Sequence, residues 1–482
     1  MNEIITHSLA RHIQALKEKQ YSAEELTRAL LDQIGAEDPK INSFITVDHD
    51  RAIKAAKESD ERRASGIALS ALDGIPYAAK DNISTCGLAT TCGSRILKGY
   101  VPPYNATVID RLTSSGAVLL GKTNMDEFAM GVSTETSCFG ATLNPLDLSR
   151  VAGGSSGGSA AAVSAFNVPF TLGSDTGGSV RQPAAFCGIV GMRPTYGCVS
   201  RYGLVSFAPS LDIIGPLTAD VTDNVIAINA ILGIDSKDMT SVAHPEATVK
   251  SPVNGVRGMR IAILKDIQDR PVSATVARAI SKSADILRYM GADVSEISLP
   301  HVDSAYAAYY TIGCAEASSN LSRFDGVRYG MRANGYNDTE ELYRLSRSNG
   351  FGNEVKRRIL FGTMALSSEY VNDFYRQAVN MRGLISHELC NILSDADAIL
   401  LPTAPTEAYT LGQASTFSFE SGIDDIYCAL ASLAGLPAIS LPYREKDALP
   451  VGVQLIGRAF GESALYRIAY SLESAFGGKT NG

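Results

Sequence analysis

Two periodicities alternate along the chain. Up to about residue 65, apolar positions recur every three or four residues, as in "LTRALLDQI" and "HDRAIKAAKESDERRA", the spacing of amphipathic helices. Ser22 and Glu25 stand three apart before the first of these, the signature of a capping box. From about Leu72 the texture changes to short apolar runs between turn residues: "GIPYAAK", "AVLLGK", "VPFTLGS" and "GIVGMRP". Helix-like segments, "NATVIDRLTSSG" and "GGSAAAVSAF", separate them. Strands alternating with helices predict an α/β sheet. "MRIAILK" (259–265), a helix over 273–289 and "ADVSEISLP" form a further β-α-β stretch, and residues 303–395 read as mostly helical. "AILLPTAP", "LPAISLP" and "PVGVQLIG" then read as returning strands. With no internal repeat and no long linker, the pattern describes one large α/β domain. Its segments are a helical start (1–65), a core (66–235), a β-α-β stretch (236–300), a helical insertion (301–395) and returning strands with a closing helix (396–482).

Composition narrows the classes of function. Of 482 residues 45% are hydrophobic and 20% charged, enough apolar surface to bury a large core. The net charge of −8 repels phosphate, and no Lys/Arg run offsets it, so direct nucleic-acid binding is a poor fit. No stretch reaches the length of a membrane span, and the N-terminal residues lack the apolar run of a signal peptide. Eight cysteines at irregular spacings, with no Cys-x-x-Cys, suggest neither a disulfide framework nor a zinc ribbon. A reducing, cytoplasmic setting with no metal in this chain is the expectation. The sequons at Asn82, Asn105 and Asn337 then read as chance.

Two familiar strings fail on their mechanics. "GAVLLGKT" (116–123) satisfies the phosphate-loop pattern, but its middle residues read as a buried strand rather than a flexible cradle. G-x-S-x-G occurs twice, centred on Ser155 and on Ser156. A nucleophile elbow needs a strand leading in and a histidine later. "NPLDLSRVAGG" reads instead as a turn, and His244, His301 and His387 read as ordinary histidines. A serine hydroxyl here needs another base. Lys80, at the end of "GIPYAAK", is the candidate, against the plainer reading of a surface lysine paired with Asp81. To accept a proton near pH 7–8 its pKa must fall from about 10.4, a shift worth about 4 kcal/mol that burial can supply. The second Gly/Ser cluster, "DTGGSVRQPA", reads as a tight turn entering a helix. The N–H groups of Thr176, Gly177, Gly178 and Ser179 could converge there as an oxyanion hole, with Ser179 as the attacking hydroxyl.

Lys80 and the two clusters together resemble the amidase signature family, over nearly the whole chain and most closely from Leu72 to Pro216. The resemblance implies a central mixed, twisted sheet covered by helices on both faces. It also implies a Ser179–Ser155–Lys80 triad in which Ser155 carries a cis peptide bond and relays the proton; Ser156 is its neighbour and rival. Within the family, "NMDEFAMGVSTETS", "AEASSNLSRFDGVRYG", "GFGNEVKRRILFGTMALSS" and "LASLAGLPAISLP" resemble the glutamine-hydrolysing A subunits of tRNA-dependent amidotransferases. That resemblance implies a glutamine pocket lined by Tyr309, Arg358 and Asp425, with Arg357 and Asp424 as rivals. A guanidinium suits the α-carboxylate and a carboxylate the α-ammonium. It further implies B and C subunits in a heterotrimer, ATP and Mg²⁺ in the partner rather than in this chain, and tRNA contacted mainly through that partner. Val132, Cys198, Ile213 and "SSEYVNDFY" depart from the family's usual residues. A stand-alone amidase acting on another small amide, and a catalytically silent subunit, remain the alternatives.

Overall fold

The computed structural model describes residues 3–245, 248–265, 272–413 and 425–477. Thirteen strands are β1 (Phe44–Val47), β2 (Pro76–Lys80), β3 (Val118–Thr123), β4 (Leu143–Asn144), β5 (Asp147–Val151), β6 (Phe170–Asp175), β7 (Val190–Arg193), β8 (Ile213–Thr218), β9 (Arg260–Leu264), β10 (Asp293–Ile297), β11 (Ala398–Pro402), β12 (Ala438–Tyr443) and β13 (Val451–Gly457). Eleven of them form one mixed sheet in the order β1-β3-β2-β6-β8-β7-β12-β13-β11-β9-β10, and β4 pairs with β5 as a small hairpin. The β3-β2-β6 strands run parallel. The pairings from β6 through β11 are antiparallel. Parallel order returns across β11, β9 and β10.

The central strands are covered on both faces, which is why they read as unbroken apolar runs rather than alternating ones. Every residue of β2, β6, β8 and β13 is buried. Tyr77 of β2 stacks on Phe170 of β6 with ring centroids 5.3 Å apart, and both are fully buried. Each such aromatic contributes about 1.5–3 kcal/mol by leaving water.

The helical start holds: α1 (Leu9–Lys17), α2 (Ala23–Ile41) and α3 (His49–Ala64) form, and α2 opens on the expected Ser22–Glu25 capping box. One element corrects it, because β1 lies between α2 and α3 and adds an antiparallel edge to β3. The expected turn before the first Gly/Ser cluster is partly a hairpin, since Asp147–Val151 is β5. The phosphate-loop string is β3, fully buried at Lys122, as its apolar middle required. Helices α4 (Thr107–Ser114), α5 (Gly157–Phe166), α6 (Arg181–Cys187), α7 (Val221–Ile231) and α8 (Ala274–Tyr289) follow their strands. The insertion supplies α9 (Val302–Asn320), α10 (Thr339–Gly350), α11 (Asn353–Ala365) and α12 (Tyr375–Asp395). The helices Ile426–Ala434 and Glu462–Ala475 follow among the described residues. No described helix is long and apolar enough to cross a membrane.

Candidate active site

Lys80 ends β2 inside the protein, with no solvent exposure. Its Nζ lies 2.7 Å from Ser155 Oγ, 2.8 Å from Ser156 Oγ and 2.9 Å from Ser174 Oγ, with the Ser174 carbonyl at 3.3 Å. Burial lowers its pKa to about 7, while the charges of Asp126, Asp175 and Asp212 oppose that fall. A neutral amine is thus available near pH 7. The alternative pairing with Asp81 does not occur. Asp81 lies 3.7 Å from the equally buried Lys122, and the Lys122 ammonium also donates to Thr90 Oγ1 at 3.0 Å.

The first Gly/Ser cluster is the turn between β5 and α5. The Gly154–Ser155 peptide is cis. Gly153 sits at φ +83°, and a Cβ there would meet Pro183 Cα at 2.7 Å, so only glycine fits. The turn is held from three sides. The Thr134 hydroxyl donates to the Gly153 carbonyl at 2.7 Å, the Gly154 N–H donates to Gln182 Oε1 at 2.9 Å, and the Asp126 N–H donates to the Ser155 carbonyl at 3.2 Å. Asp126 is itself pinned by the N–H of Thr134 at 2.9 Å and the hydroxyl of Thr136 at 2.9 Å. The Ser156 hydroxyl donates to the Ser174 carbonyl at 3.2 Å, which commits its proton.

The second cluster is the turn between β6 and α6. The Ser156 N–H donates to the Ser179 carbonyl at 3.2 Å, so the two Gly/Ser turns lie against each other. Ser179 is 3% exposed. Among the described residues, the main-chain N–H groups of Gly177, Gly178 and Ser179 donate to no protein acceptor. Thr176 anchors the start of the turn through its hydroxyl, 2.6 Å from Asp212 Oδ1. Burial pushes the Asp212 carboxyl up to about 6.

Two of the expected pocket residues, Tyr309 and Asp425, meet this same turn. A Cβ on Gly177 would lie 2.6 Å from the Tyr309 hydroxyl. One on Gly178 would lie 2.6 Å from Cys428 Cβ and 2.8 Å from Asp425 Oδ1. Tyr309 comes from α9, and Asp425 immediately precedes the helix Ile426–Ala434. Burial raises the Tyr309 hydroxyl well above its ordinary pKa; the Asp425 carboxylate adds to that rise and the Arg358 guanidinium opposes it. Arg358 of α11 is 6% exposed. Its Nε donates to Glu354 at 2.7 Å, and its guanidinium lies 5.4 Å from the Phe207 ring centroid and 5.1 Å from that of Tyr310. Burial disfavours its charge, but Glu354 and the neighbouring Cys314 and tyrosines hold its pKa well above the ordinary value. The rival Arg357 is an exposed side chain paired with Glu354. Asp424 lies outside the described residues.

Several participants gave no signal in the sequence. Ser174 Oγ receives hydrogen bonds from Lys80 and, at 2.9 Å, from Asn82 Nδ2. Asp175 lies under the second turn between Arg181 and Arg193, both fully buried, with contacts of 2.9 Å to each. Burial alone would raise its pKa, but the two guanidiniums hold it well below the usual carboxylate range. Such pairing in an interior is tolerable because every charge is compensated and hydrogen-bonded. Asp175, Arg181 and Arg193 stand in "GSDTGGSVRQPA" and "GMRP", where nothing along the chain shows that they meet. None of the later histidines joins the site: His244 pairs with Glu462, His301 with Glu388 and His387 with Asn391.

A family model described as Amidase matches residues 25–466. The chain is 49% identical over 461 residues to the A subunit of the glutamyl-tRNA(Gln) amidotransferase of Thermoanaerobacter pseudethanolicus, covering 95% of this chain and 94% of that one. Among solved structures, it is similar to the A subunit of the glutamyl-tRNA(Gln) amidotransferase of Thermotoga maritima. That match has a TM-score of 0.82 and 40% identity and covers 98% of this chain and 96% of the other. It is also similar to the peptide amidase of Stenotrophomonas maltophilia, with a TM-score of 0.83 and 28% identity over 98% of both. The match spans nearly the whole chain, and the chain belongs to the amidase family.

Proposed function

We propose that this chain is the glutamine-hydrolysing subunit of a tRNA-dependent amidotransferase. The observation that carries the chemistry is the wholly buried Lys80 amine, 2.7 Å from Ser155 Oγ and with a pKa near 7. In this reading neutral Lys80 takes the Ser155 proton as Ser155 takes that of Ser179. Ser155 rather than Ser156 is the relay, because the Ser156 hydroxyl is already engaged with a carbonyl. Ser179 Oγ attacks the side-chain amide carbon of glutamine. The oxygen that gains charge is met by the N–H groups of the 176–179 turn, an arrangement that contributes most when donors are fixed beforehand. The C–N bond then breaks, the relayed proton leaves with ammonia, and water releases glutamate from the acyl-serine.

Substrate choice rests on the charges around the second turn. Arg358 suits the α-carboxylate of an amino acid, Asp425 its α-ammonium, and Tyr309 closes the wall against Gly177. The 49% identity with the A chain of a glutamyl-tRNA(Gln) amidotransferase supports glutamine as the donor. In a cytoplasmic heterotrimer with B and C subunits, ammonia would pass to the partner that uses ATP and Mg²⁺ to amidate the mischarged Glu-tRNA(Gln) or Asp-tRNA(Asn), and the small third subunit would clamp the two. The net charge of −8 suits a chain that leaves tRNA to its partner.

Co-purification with neighbouring chains, followed by glutamine-dependent amidation of mischarged tRNA, tests the assignment. Ser179→Ala should abolish glutamine hydrolysis by at least about 10³-fold. Undiminished glutamine-dependent amidation by that variant would show the chain to be catalytically silent. Robust turnover of simple amides, indifferent to glutamine and to any partner, would favour a stand-alone amidase.

A further inference from the structure

Beyond β7, the fold gathers three side chains from distant parts of the sequence. Cys198, His244 and Glu462 each offer one ligating atom, and these atoms lie within 4.8 Å of one another. Cys198 and Glu462 are fully buried, and the His244 side chain is 4% exposed. His244 Nε2 lies 3.0 Å from Glu462 Oε2. The other carboxylate oxygen, Oε1, accepts from the Thr195 N–H at 2.8 Å and from its hydroxyl at 2.6 Å. Phe460 stands edge-on to the imidazole, with centroids 5.8 Å apart.

We infer that Cys198, His244 and Glu462 form a binding site for a thiophilic divalent cation, zinc foremost, which ties the 240–245 segment to the body of the domain. A thiolate, an imidazole and a carboxylate are the donor types zinc takes, and three protein ligands leave a fourth position for water. Around a tetrahedral zinc, ligand atoms with bonds of 2.0–2.3 Å stand about 3.3–3.7 Å apart. The present separations, 3.0 Å for one pair and at most 4.8 Å for the others, need only small adjustments to reach that range. Charge also balances: one thiolate and one carboxylate neutralise a divalent ion, so the interior gains no net charge. Thr195 fixes the carboxylate through the oxygen that faces away from His244, as an outer partner of a metal ligand does. The three ligands come from the β7–β8 connection, from the segment after α7 and from the start of the last helix, so the ion would clamp three separate stretches. Neither Gly/Ser turn contributes a ligand, so the amide chemistry stays with Lys80 and the serines.

The probe is Co²⁺ added to chelator-treated full-length protein, read by absorption, with Zn²⁺ competition and thermal melting alongside. The expected result is one Co²⁺ per chain with a thiolate-to-cobalt charge-transfer band, displaced by Zn²⁺, and a melting temperature that rises with added Zn²⁺. Cys198→Ser should abolish the band, and His244→Ala should weaken binding at least about 100-fold, beyond the usual loss of an outer-shell partner. Glutamine hydrolysis by each variant should match wild type at 25 °C. Two variants are used so that a folding failure in one leaves the other informative, and the wild-type spectrum stands by itself. Absence of stoichiometric binding by wild type, a cobalt complex without the thiolate band, or binding unchanged in either folded variant overturns the site.

Discussion

Replacing Lys80 by Met removes one amine and leaves a side chain of similar length in the same buried space. Two independent consequences follow from a pKa near 7 in the folded protein against an ordinary value of 10.5. The first is kinetic. A base acts in its neutral form, so the neutral fraction is about a tenth at pH 6 and about nine-tenths at pH 8. Wild-type kcat/KM for glutamine should rise with a single limb near pH 7 and then level off. Lys80→Met should lose 10²- to 10⁴-fold, the usual worth of a general base, and with it that limb. The second is thermodynamic. Between pH 7 and 10.5 the unfolded chain holds a proton on Lys80 that the folded chain does not. The unfolded state binds more protons, so stability rises with pH across that window. The contribution is about 1.4 kcal/mol per pH unit for one group. Other titrations are shared by both proteins and largely cancel. The unfolding free energy of wild type minus that of Lys80→Met, from urea titrations, should therefore climb by about 2.3 kcal/mol between pH 7 and 9, because Lys80 is still half protonated in the folded protein at pH 7. A difference that stays flat over that range, or an activity limb near pH 9–10, would refute the assignment of Lys80 as a neutral buried base.

Arg358→Gln should lower kcat/KM for glutamine about 10- to 150-fold, mainly through KM, the worth of one charge-assisted hydrogen bond. Arg357→Gln, at an exposed position, should leave steady-state kinetics within about twofold, and equal losses in the two would show that Arg358 does not hold substrate. Gly177→Ala forces the Tyr309 ring away from the second turn. A loss of about 10²-fold in turnover with a near-normal melting temperature is expected, and unimpaired turnover would mean the close approach has no catalytic weight. Lys122→Met leaves Asp81 buried without its cation, and denaturant titration should show a loss of about 3–5 kcal/mol. A loss under about 1 kcal/mol would mean Asp81 is protonated in the native state.

Legibility followed the range of the interactions involved. The capping box before α2 involves neighbours three residues apart and was plain in the sequence. Strand β3 was legible despite its phosphate-loop pattern, because four consecutive apolar residues suit a strand buried on both faces. Strand β8 was hidden, since "IIGPLT" contains a glycine and a proline, which argue against a sheet interior. Strand β1, four residues at the sheet edge, was hidden within an otherwise helical segment. At the site, adjacency left pairing of Lys80 with Asp81 as the alternative to its role as a base. Neighbouring side chains at a strand end point to opposite sides, so Asp81 turns to Lys122 and Lys80 to the serines.

Sequence alone determined the kinds of chemistry present: a lysine ending an apolar run, two turns that only glycine can make, and serines placed within them. Those features are local, set by backbone angles and by hydrophobic period. Tertiary structure decided which lysine meets which serine and which of two neighbouring arginines is buried. It also brought Cys198, His244 and Glu462 within reach of one another. These outcomes depend on strand order and on burial, which lower the pKa of Lys80 and join residues hundreds of positions apart. No spacing along a chain encodes a distance across a sheet.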